Sequence, residues 1–514
     1  MAKQIEVLSP PAMPVKNKGL LTVGIMLAMV MQVLDTTIAN VALPHMQASL
    51  GASQDEINWV LTSYIVAAAI ATPLSGWFAD RIGRKNLMVF AVIGFTVASL
   101  ACGIATSLDE MVLFRVAQGI CGAVLAPLAQ ATMLDINPRE KMGQAMAIFG
   151  AGIMVAPIVG PTLGGWLTES FNWRAVFIVN LPIGIFALTL LLTMMPKGEI
   201  KIRPFDFFGF AMLGLGVAAT QLLLDRGQQQ GWFESPEIWI YLGLAITGYW
   251  IFLVHCTTAE NPFIDMKMFK DRNLSSGLVF IFIIGITMFA GLALLPPMLQ
   301  GLMGYPVIET GIVMAPRGIG TMLSMIIVGR LVSKIDARML VLLGILLTAW
   351  SLYMMTEFDI VMDSGPIMLS GVVQGLGLGL VFVPLSTLTF ATIETKYRLD
   401  ATSMFNLFRN VGSGVGISLV TTVLAQGSQI NHSELAERIA IDRQPVQDLL
   451  HSGGDPSTLL GNLDGLVSQQ SAMIAYVNDF WLMMLVTLVS IPIVFMLRKP
   501  KVAPKLDPAH MMAE

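Results

Sequence analysis

The chain is short of charge. Only 12% of its 514 residues are Asp, Glu, Lys or Arg, whereas a soluble globular chain carries about 25%. Hydrophobic residues make up 55% of the chain, and the mean hydropathy is +0.72. This composition predicts a protein that crosses the membrane many times. The apolar stretches are continuous and do not alternate with polar residues, which argues against a sheet structure.

Cysteine is also scarce. The three cysteines, Cys102, Cys121 and Cys256, form no Cys-x-x-Cys pair, so neither a disulfide framework nor a zinc site is expected. The chain contains no Gly-Lys dipeptide and hence no phosphate-binding P-loop, which argues against an ATP-driven pump. No Ser-His-Asp set or metal-ligand cluster indicates an enzyme. We expect no cofactor, no metal ion and no nucleic-acid partner.

Long apolar stretches, in contrast, are abundant. Windows of about 19 residues predict 14 spans, and we therefore predict an all-α polytopic membrane protein. The predicted spans are 20–43, 57–78, 87–106, 111–133, 143–167, 175–195, 207–225, 237–256, 275–299, 309–331, 339–356, 366–390, 401–425 and 476–497.

The basic residues are distributed unevenly between the two sides of these spans. Of the 30 Lys and Arg residues, the outer side holds only Arg174, Arg226, Arg438 and Arg443. Three more lie within spans, and all the others fall in the inner loops and the two tails. Because cytoplasmic loops are rich in Lys and Arg, we predict that both termini are cytoplasmic.

An internal repeat relates the two halves of the chain. Residues 76–85 (GWFADRIGRK) close the second span, and residues 329–338 (GRLVSKIDAR) close the tenth. Residues 116–119 (VAQG) in the fourth span are echoed by residues 372–375 (VVQG) in the twelfth. Both copies keep the same direction, and parallel halves around a central site are typical of secondary transporters.

This repeat predicts two parallel six-helix bundles plus two extra central helices. The predicted segments are a cytoplasmic tail (1–19), an N-terminal bundle (20–195), a linker with the extra helices (196–272), a C-terminal bundle (273–497) that includes a long periplasmic loop (426–475), and a cytoplasmic tail (498–514). A short amphipathic helix that begins at Ser433 is predicted within the long loop.

One carboxylate lies deep in the first span. Asp35 follows Lys18 by 17 residues, so at helical rise it is roughly 25 Å deeper, inside hydrocarbon about 30 Å thick. An ionisable group at that depth is costly and is interpreted as functional by default. We predict that Asp35 carries the transported proton.

Polar side chains accompany Asp35. Gln32, Thr36 and Asn40 recur at every fourth position and share one helix face. We predict that they line a polar cavity together with Gln118 and Gln374 of the fourth and twelfth spans. Hydrogen bonding between helices is the alternative interpretation.

The most specific motif is the loop after the second span. Its pattern, G-x-x-x-D-R-x-G-R-K, is formed by Gly76, Asp80, Arg81, Gly83, Arg84 and Lys85. The glycines permit a tight turn. Asp80 is not needed for topology, and its pairing with bases or with a helix N-terminus would hold the inner side closed. A loop that only sets the topology is the alternative.

This loop resembles the signature loop of the major facilitator superfamily. Residues 34–44 resemble the first-span motif of its 14-span drug:proton antiporters, the EmrB/QacA group. Residues 115–122 resemble the span-four motif, residues 160–165 the span-five motif associated with antiport, and residues 173–182 the segment that follows it. The resemblance covers nearly the whole chain, although Ser333 stands at the position of Asp80 in the second half.

The resemblance implies a function and roles for several residues. It implies a proton-coupled multidrug efflux antiporter that exports hydrophobic or amphipathic compounds across the bacterial inner membrane by alternating access. It assigns Arg115 to proton movement beside Asp35. It assigns a bend in the fifth span to Gly160, Pro161, Gly164 and Gly165, where ordinary tight packing is the alternative. Members of the EmrB branch also imply a periplasmic adaptor protein and an outer-membrane channel as partners.

Two other functions stay open at this point. One is a dedicated proton-coupled exporter of a single metabolite or lipid-like molecule. The other is a non-transporting membrane scaffold or sensor, against which Asp35, Arg115 and the loop motif argue. Arg317 and Arg409 are the remaining basic residues within spans, and each is either a counter-charge to a carboxylate or a structural hydrogen-bonding group, of which we favour the structural role.

Overall fold

A computed structural model describes residues 11–198, 200–201, 204–332, 334–439, 443–444, 447 and 456–497. Within these ranges, 14 helices are long and apolar enough to cross a membrane, which confirms the predicted all-α polytopic fold. They are α1 (Lys18–Leu50), α2 (Trp59–Ile82), α3 (Arg84–Ile104), α4 (Leu108–Asp135), α5 (Arg139–Ser170), α6 (Ala175–Met194), α7 (Phe207–Arg226), α8 (Pro236–Thr258), α9 (Arg272–Leu302), α10 (Val307–Leu331), α11 (Ala337–Met355), α12 (Ser364–Ala391), α13 (Thr395–Glu437) and α14 (Thr458–Val494).

The helices pack as two bundles with the same internal contacts. In the first bundle, α1 packs on α5 and α6, α2 on α4, and α3 on α4 and α6. In the second, α9 packs on α13 and α14, α10 on α12, and α11 on α12 and α14. This correspondence supports the parallel repeat seen in the sequence.

The two extra helices form a pair beside the bundles. α7 packs on α8 and also contacts α2 of the first bundle and α13 of the second. Asp225 of α7 accepts a hydrogen bond from Thr62 of α2. Ser418 of α13 donates to the backbone carbonyl of Leu224 at 2.8 Å. α7 therefore contacts both bundles near its C-terminal end.

Prolines interrupt the helices that cross the centre of the first bundle. The helical bonding of α5 breaks at Met154, three residues before Pro157, and that of α4 breaks at Val124, three residues before Pro127. A proline lacks the N–H that would bond to the carbonyl four residues earlier, and its ring crowds that carbonyl. These breaks allow α4 and α5 to bend.

The segment 426–475 differs from the predicted long loop. The helical bonding of α13 runs without a break to Arg438, one residue past the end given above, and that of α14 begins at Pro456, two residues before the start given above. Ser433 thus lies inside a helix and does not cap a separate one, because the helical bonding that starts at Arg398 runs through it. Asn431 donates to the carbonyl of Ser471 at 3.3 Å and links the two extensions.

Some predicted segments lie outside the described residues. These are the first ten residues of the N-terminal tail, the whole C-terminal tail (498–514), and most of the stretch between the α13 and α14 helices.

Candidate functional site

Asp35 faces the interior of the first bundle. The residue is 2% exposed, and its side chain lies between α1, α4 and α6. Arg115 of α4 is fully buried, and its Nη1 lies 2.6 Å from Oδ2 of Asp35. The structure therefore brings together the two residues that the sequence had singled out separately.

Two amides complete the coordination of the carboxylate. Gln118 Nε2 and Asn180 Nδ2 both donate to Oδ1 of Asp35, at 2.7 and 2.8 Å. Arg115 Nη1 also donates to Gln118 Oε1 at 2.7 Å, which orients that amide. The carboxylate thus has three donors, one of which belongs to the cation Arg115, an arrangement that favours its ionised form.

A second layer of contacts holds these groups in place. Arg115 Nε donates to the carbonyl of Val60 at 2.9 Å, and its guanidinium lies 4.3 Å from the centre of the Tyr64 ring. Asn180 Nδ2 also donates to Ser99 Oγ at 2.9 Å. Residues of α1, α2, α3, α4 and α6 therefore meet at one carboxylate.

Small residues make this convergence possible. A Cβ on Gly119 would lie 2.5 Å from the backbone oxygen of Tyr64, so only glycine lets α4 approach α2 this closely. Gly160 and Gly164 of α5 pack in the same way on Thr37 and Ile38 of α1. Two of the predicted hinge glycines thus bring α5 against the helix that carries Asp35.

Sequence reasoning missed several members of the cluster. Asn180 lies within the motif at 173–182, where an asparagine inside an apolar span was a usable signal. Ser99 and Tyr64 gave no such signal, because isolated hydroxyls are common in membrane helices. They join the site only through the packing of α2 and α3.

The other predicted polar residues occupy different environments. Gln32 is partly buried, and its Oε1 has no hydrogen-bond partner in the described structure. Thr36 donates to the carbonyl of Val33 at 2.8 Å, and Asn40 is exposed. Gln118 is enclosed in the Asp35 cluster, and Gln374 lies 1% exposed in the second bundle.

The loop motif forms the turn between α2 and α3. Gly83 has φ +84°, a conformation that favours glycine. The carbonyl of Asp80 accepts from the backbone N–H of Lys201 at 2.8 Å, and Lys85 Nζ donates to the carbonyl of Leu192 at 2.6 Å. Gly76 is buried and Arg81 is exposed. The loop is thus bonded to the last turn of α6 and to the segment that follows it.

Asp135 joins this loop to the second bundle. It is 1% exposed at the end of α4, and it pairs with Arg84 of the loop motif and with Arg398 of α13. We call this end of the molecule, where α4 ends and α13 begins, the basic end. Sequence reasoning considered Asp80 as the acid of the gate and did not consider Asp135, which pairs with a base of each half.

Polar contacts continue this closure inward from the basic end. Thr402 of α13 donates to the carbonyl of Pro127 at 3.1 Å. Asn406 donates to Gln130 Oε1 at 3.0 Å. α4 and α13 are therefore closed against each other over more than two helical turns.

Comparison with known proteins identifies the family. The protein-family model described as Major Facilitator Superfamily matches residues 25–417 of the sequence. The chain belongs to this superfamily of transporters. Within the described ranges, no three His, Cys, Asp or Glu side chains are grouped so as to hold a metal ion.

Relatives of this major facilitator protein match almost the whole chain. It is 35% identical to the probable multidrug resistance protein EmrY of Escherichia coli K12, over 93% of this chain and 95% of the relative. It is 33% identical to the multidrug export protein EmrB of the same strain, over 94% and 95%. The fatty acid resistance protein FarB of Neisseria gonorrhoeae is 35% identical, over 95% and 98%.

A solved structure supports the fold. The human organic anion transporter MFSD10 covers 93% of this chain with a TM-score of 0.58 and 13% sequence identity. At this identity the likeness concerns the fold alone.

The second bundle of this major facilitator protein holds ionisable groups of another kind. Arg317 of α10 is 6% exposed, and its Nη2 donates to the carbonyl of Met288 at 2.9 Å. Asp479 of α14 is fully buried, and neither carboxylate oxygen has a hydrogen-bond partner in the described structure. Asp479 was missed because the predicted span began at residue 476, which placed it at the membrane surface.

Proposed function

We propose that the protein is a proton-coupled antiporter that exports hydrophobic or amphipathic compounds from a bacterial cell across the inner membrane. Two of the relatives are named as multidrug proteins, which supports export of more than one compound. The bias of Lys and Arg supports a cytoplasmic position for both termini and for the basic end.

The observation that carries the proposal is the buried pair of Asp35 and Arg115. Three donors bind the ionised carboxylate, and hydrogen bonds to a charged acceptor are stronger than those to a neutral one, so protonation weakens all three. Proton binding removes the charge that holds Arg115 of α4 and Asn180 of α6 against α1. Proton occupancy is thereby coupled to the packing of three helices, as alternating access requires.

Closure of the basic end belongs to the step of the transport cycle in which the cytoplasmic side is shut. Asp135 holds α4 and the loop motif against α13 while substrate leaves on the outer side. Opening towards the cytoplasm then needs these ion pairs to separate. Bending of α5 at Gly160, Pro161, Gly164 and Gly165 accompanies this exchange in our proposal.

The test is proton movement in proteoliposomes. Asp35→Asn should abolish substrate-induced proton movement, because the amide cannot exchange a proton, while the protein still folds. The matched control is Asp109→Asn, which changes an exposed carboxylate at the start of α4. Undiminished proton-coupled efflux by the Asp35→Asn protein would contradict the proposal.

The name of one relative favours a second candidate, a dedicated exporter of one lipid-like molecule. A susceptibility panel in a host that lacks its own pumps separates the two candidates. Tolerance to several unrelated compounds would support a multidrug exporter. Protection against a single compound would support the dedicated one.

We also propose a periplasmic adaptor protein and an outer-membrane channel as partners. The helical extensions of α13 and α14 past the predicted membrane boundary offer a surface for such contacts. Copurification with a tagged adaptor from the same host tests this assembly. Loss of copurification on removal of the extensions is the expected result.

A further inference from the structure

The repeat places a changed version of the Asp35 site in the second bundle. The sequence offset that carries Gln118 to Gln374 also carries Arg115 to Gly371, whereas the offset of the loop motifs aligns Pro44 with Pro297 and carries Asp35 to Met288, one helical turn before Gly291. In the second bundle, the arginine position of the first bundle is thus glycine and its carboxylate is absent, while the glutamine is kept.

The guanidinium is kept as well, but on another helix. The offset between the two loop motifs, from Gly76 to Gly329, carries Tyr64 to Arg317. In the first bundle, Arg115 of the fourth helix lies against Tyr64 of the second. In the second bundle, a Cβ on Gly371 of α12 would lie 3.5 Å from Cβ of Arg317 of α10. The glycine on α12 therefore leaves room for the arginine, which is carried by α10.

The groups that bind Asp35 in the first bundle therefore converge on Gly291 in the second. A Cβ on Gly291 would lie 3.4 Å from Nη1 of Arg317 and 3.7 Å from Nε2 of Gln374. Arg115 Nη1 and Gln118 Nε2 are the corresponding donors to Asp35. The donors are present in both bundles, and only the first bundle provides a carboxylate for them.

One donor beside Gly291 is not satisfied. Among the described residues, the buried Nη1 of Arg317 has no hydrogen-bond partner, whereas its Nη2 donates to the carbonyl of Met288 at 2.9 Å. No described acid forms a salt bridge with Arg317. A buried cation without a counter-charge is costly, which favours an anion from outside the chain.

We propose that Arg317, Gln374 and the space over Gly291 bind the carboxylate of an amphipathic substrate, in the position that corresponds to the Asp35 side chain. This inference rests on the proposed export function and names its substrate class. The carboxylate accepts from Nη1 of Arg317 and from Nε2 of Gln374. The apolar part of the substrate lies against the neighbouring cluster that includes Leu294 and Val313.

A counter-ion from within the chain is the competing occupant. Asp479 is the carboxylate to consider, because it is buried without a partner in the same bundle. If Arg317 pairs with Asp479 in another conformation, loss of either residue should weaken the binding of all substrates alike. If Arg317 binds a substrate, its loss should weaken the binding of carboxylate substrates only, and Asp479→Asn should not reproduce that selectivity.

The experiment compares binding of 1-naphthaleneacetate with that of its neutral isostere, 1-naphthaleneacetamide, to the purified protein in lipid nanodiscs. We expect Arg317→Gln to weaken binding of the carboxylate about 30-fold, as for truncation of a buried charge pair, and to change binding of the amide by less than about threefold. Equal weakening of both ligands, or of neither, would overturn the inference.

A second pair of variants guards against misfolding of Arg317→Gln. The Cβ of either residue fits at Gly291 without a clash, since the contacts there are 3.4 Å or longer. Gly291→Asp should place an internal carboxylate on Arg317, raise the thermal midpoint and exclude 1-naphthaleneacetate. Gly291→Asn has the same size and fills the same space, so it should also exclude 1-naphthaleneacetate, but it gives Arg317 no counter-charge and should leave the thermal midpoint below that of Gly291→Asp. Equal thermal midpoints for these two variants would also overturn the inference.

The binding assay separates this inference from the proposed function. If the wild-type protein moves no substrate but binds 1-naphthaleneacetate through Arg317, the export function fails and the anion site stands. If it exports neutral compounds and Arg317→Gln does not discriminate between the two ligands, the export function stands and the anion site fails.

Discussion

The two bundles share one packing pattern but differ in how they treat buried charge. In the first, Asp35 and Arg115 neutralise each other, and two amides satisfy the remaining oxygen. In the second, Arg317 and Asp479 are buried without a charged partner in the described structure. The same arrangement of helices thus encloses a closed ion pair on one side and separate charges on the other.

This difference shows how one repeat can serve two tasks. A charge that is paired within the chain has all its partners at hand and responds to protonation, which separates the pair. A charge without a partner must find one outside the chain or remain costly. We therefore assign proton coupling to the first bundle and recognition of anionic substrates to the second.

The largest effect should come from breaking the closed pair. Arg115→Ala leaves Asp35 buried without a cation and should cost about 3–5 kcal/mol of folding free energy. Arg317→Ala leaves no carboxylate behind and should cost about 1 kcal/mol, the value of one hydrogen bond. Thermal unfolding in a mild detergent measures both variants.

The double variant Asp35→Asn with Arg115→Met is the control for this comparison. It removes both charges and should recover most of the stability that Arg115→Ala loses. Equal losses for Arg115→Ala and Arg317→Ala would show that the two bundles do not differ in the way we describe.

A smaller effect should follow from opening the link between the bundles. Asp135→Asn weakens the ion pairs with Arg84 and Arg398 and should favour separation of α4 from α13. A cysteine at Ser403, which is buried beside this contact, reports the separation in a background without native cysteines. Its alkylation should become about tenfold faster, because 1.4 kcal/mol is a factor of ten in the opening equilibrium.

Glu394→Gln is the matched control for this variant. It removes an ion pair with Lys396 near the same end, but the two side chains are 67% and 56% exposed. Exposed pairs contribute only about 0–1 kcal/mol, so the alkylation rate should hardly change. A similar acceleration in both variants would assign the effect to net charge and not to the buried contact.

The smallest effect should come from Asp479. Asp479→Asn removes an ionisable group that has no hydrogen-bond partner among the described residues, so the thermal midpoint at pH 8 should stay the same or rise by about 2 °C. Asp35→Asn should lower the midpoint under the same conditions, because it dismantles a satisfied pair. A fall in the midpoint for Asp479→Asn would show that this carboxylate has a stabilising partner.

Much of the fold could be predicted from the sequence. Each of the 14 helices carries its own signal, because an apolar stretch of about 20 residues is sufficient to specify a span. The ends of the helices were harder to predict. The helical bonding of α13 continues to Arg438 through polar residues. A hydropathy window detects apolar residues only, so it cannot predict a helix that continues through polar ones.

The candidate site could be predicted only in part. Asp35 and Arg115 stood out as charges in apolar stretches, and Asn180 lay in a segment that matched a family motif. Asp135 was passed over, since a carboxylate at the end of a span looks like an ordinary loop residue. Its pairing with Arg398, 263 residues further along the chain, depends on how the two bundles meet.

The sequence by itself determined the spans, the repeat and the charges that a membrane would make costly, since burial in hydrocarbon depends on residue type and length alone. Only the tertiary structure decided which of those charges have partners. Asp35 meets Arg115, Gln118 and Asn180 because three helices approach closely there. Hydrogen bonds and ion pairs act over about 3 Å, so helix packing decides them and helix formation does not.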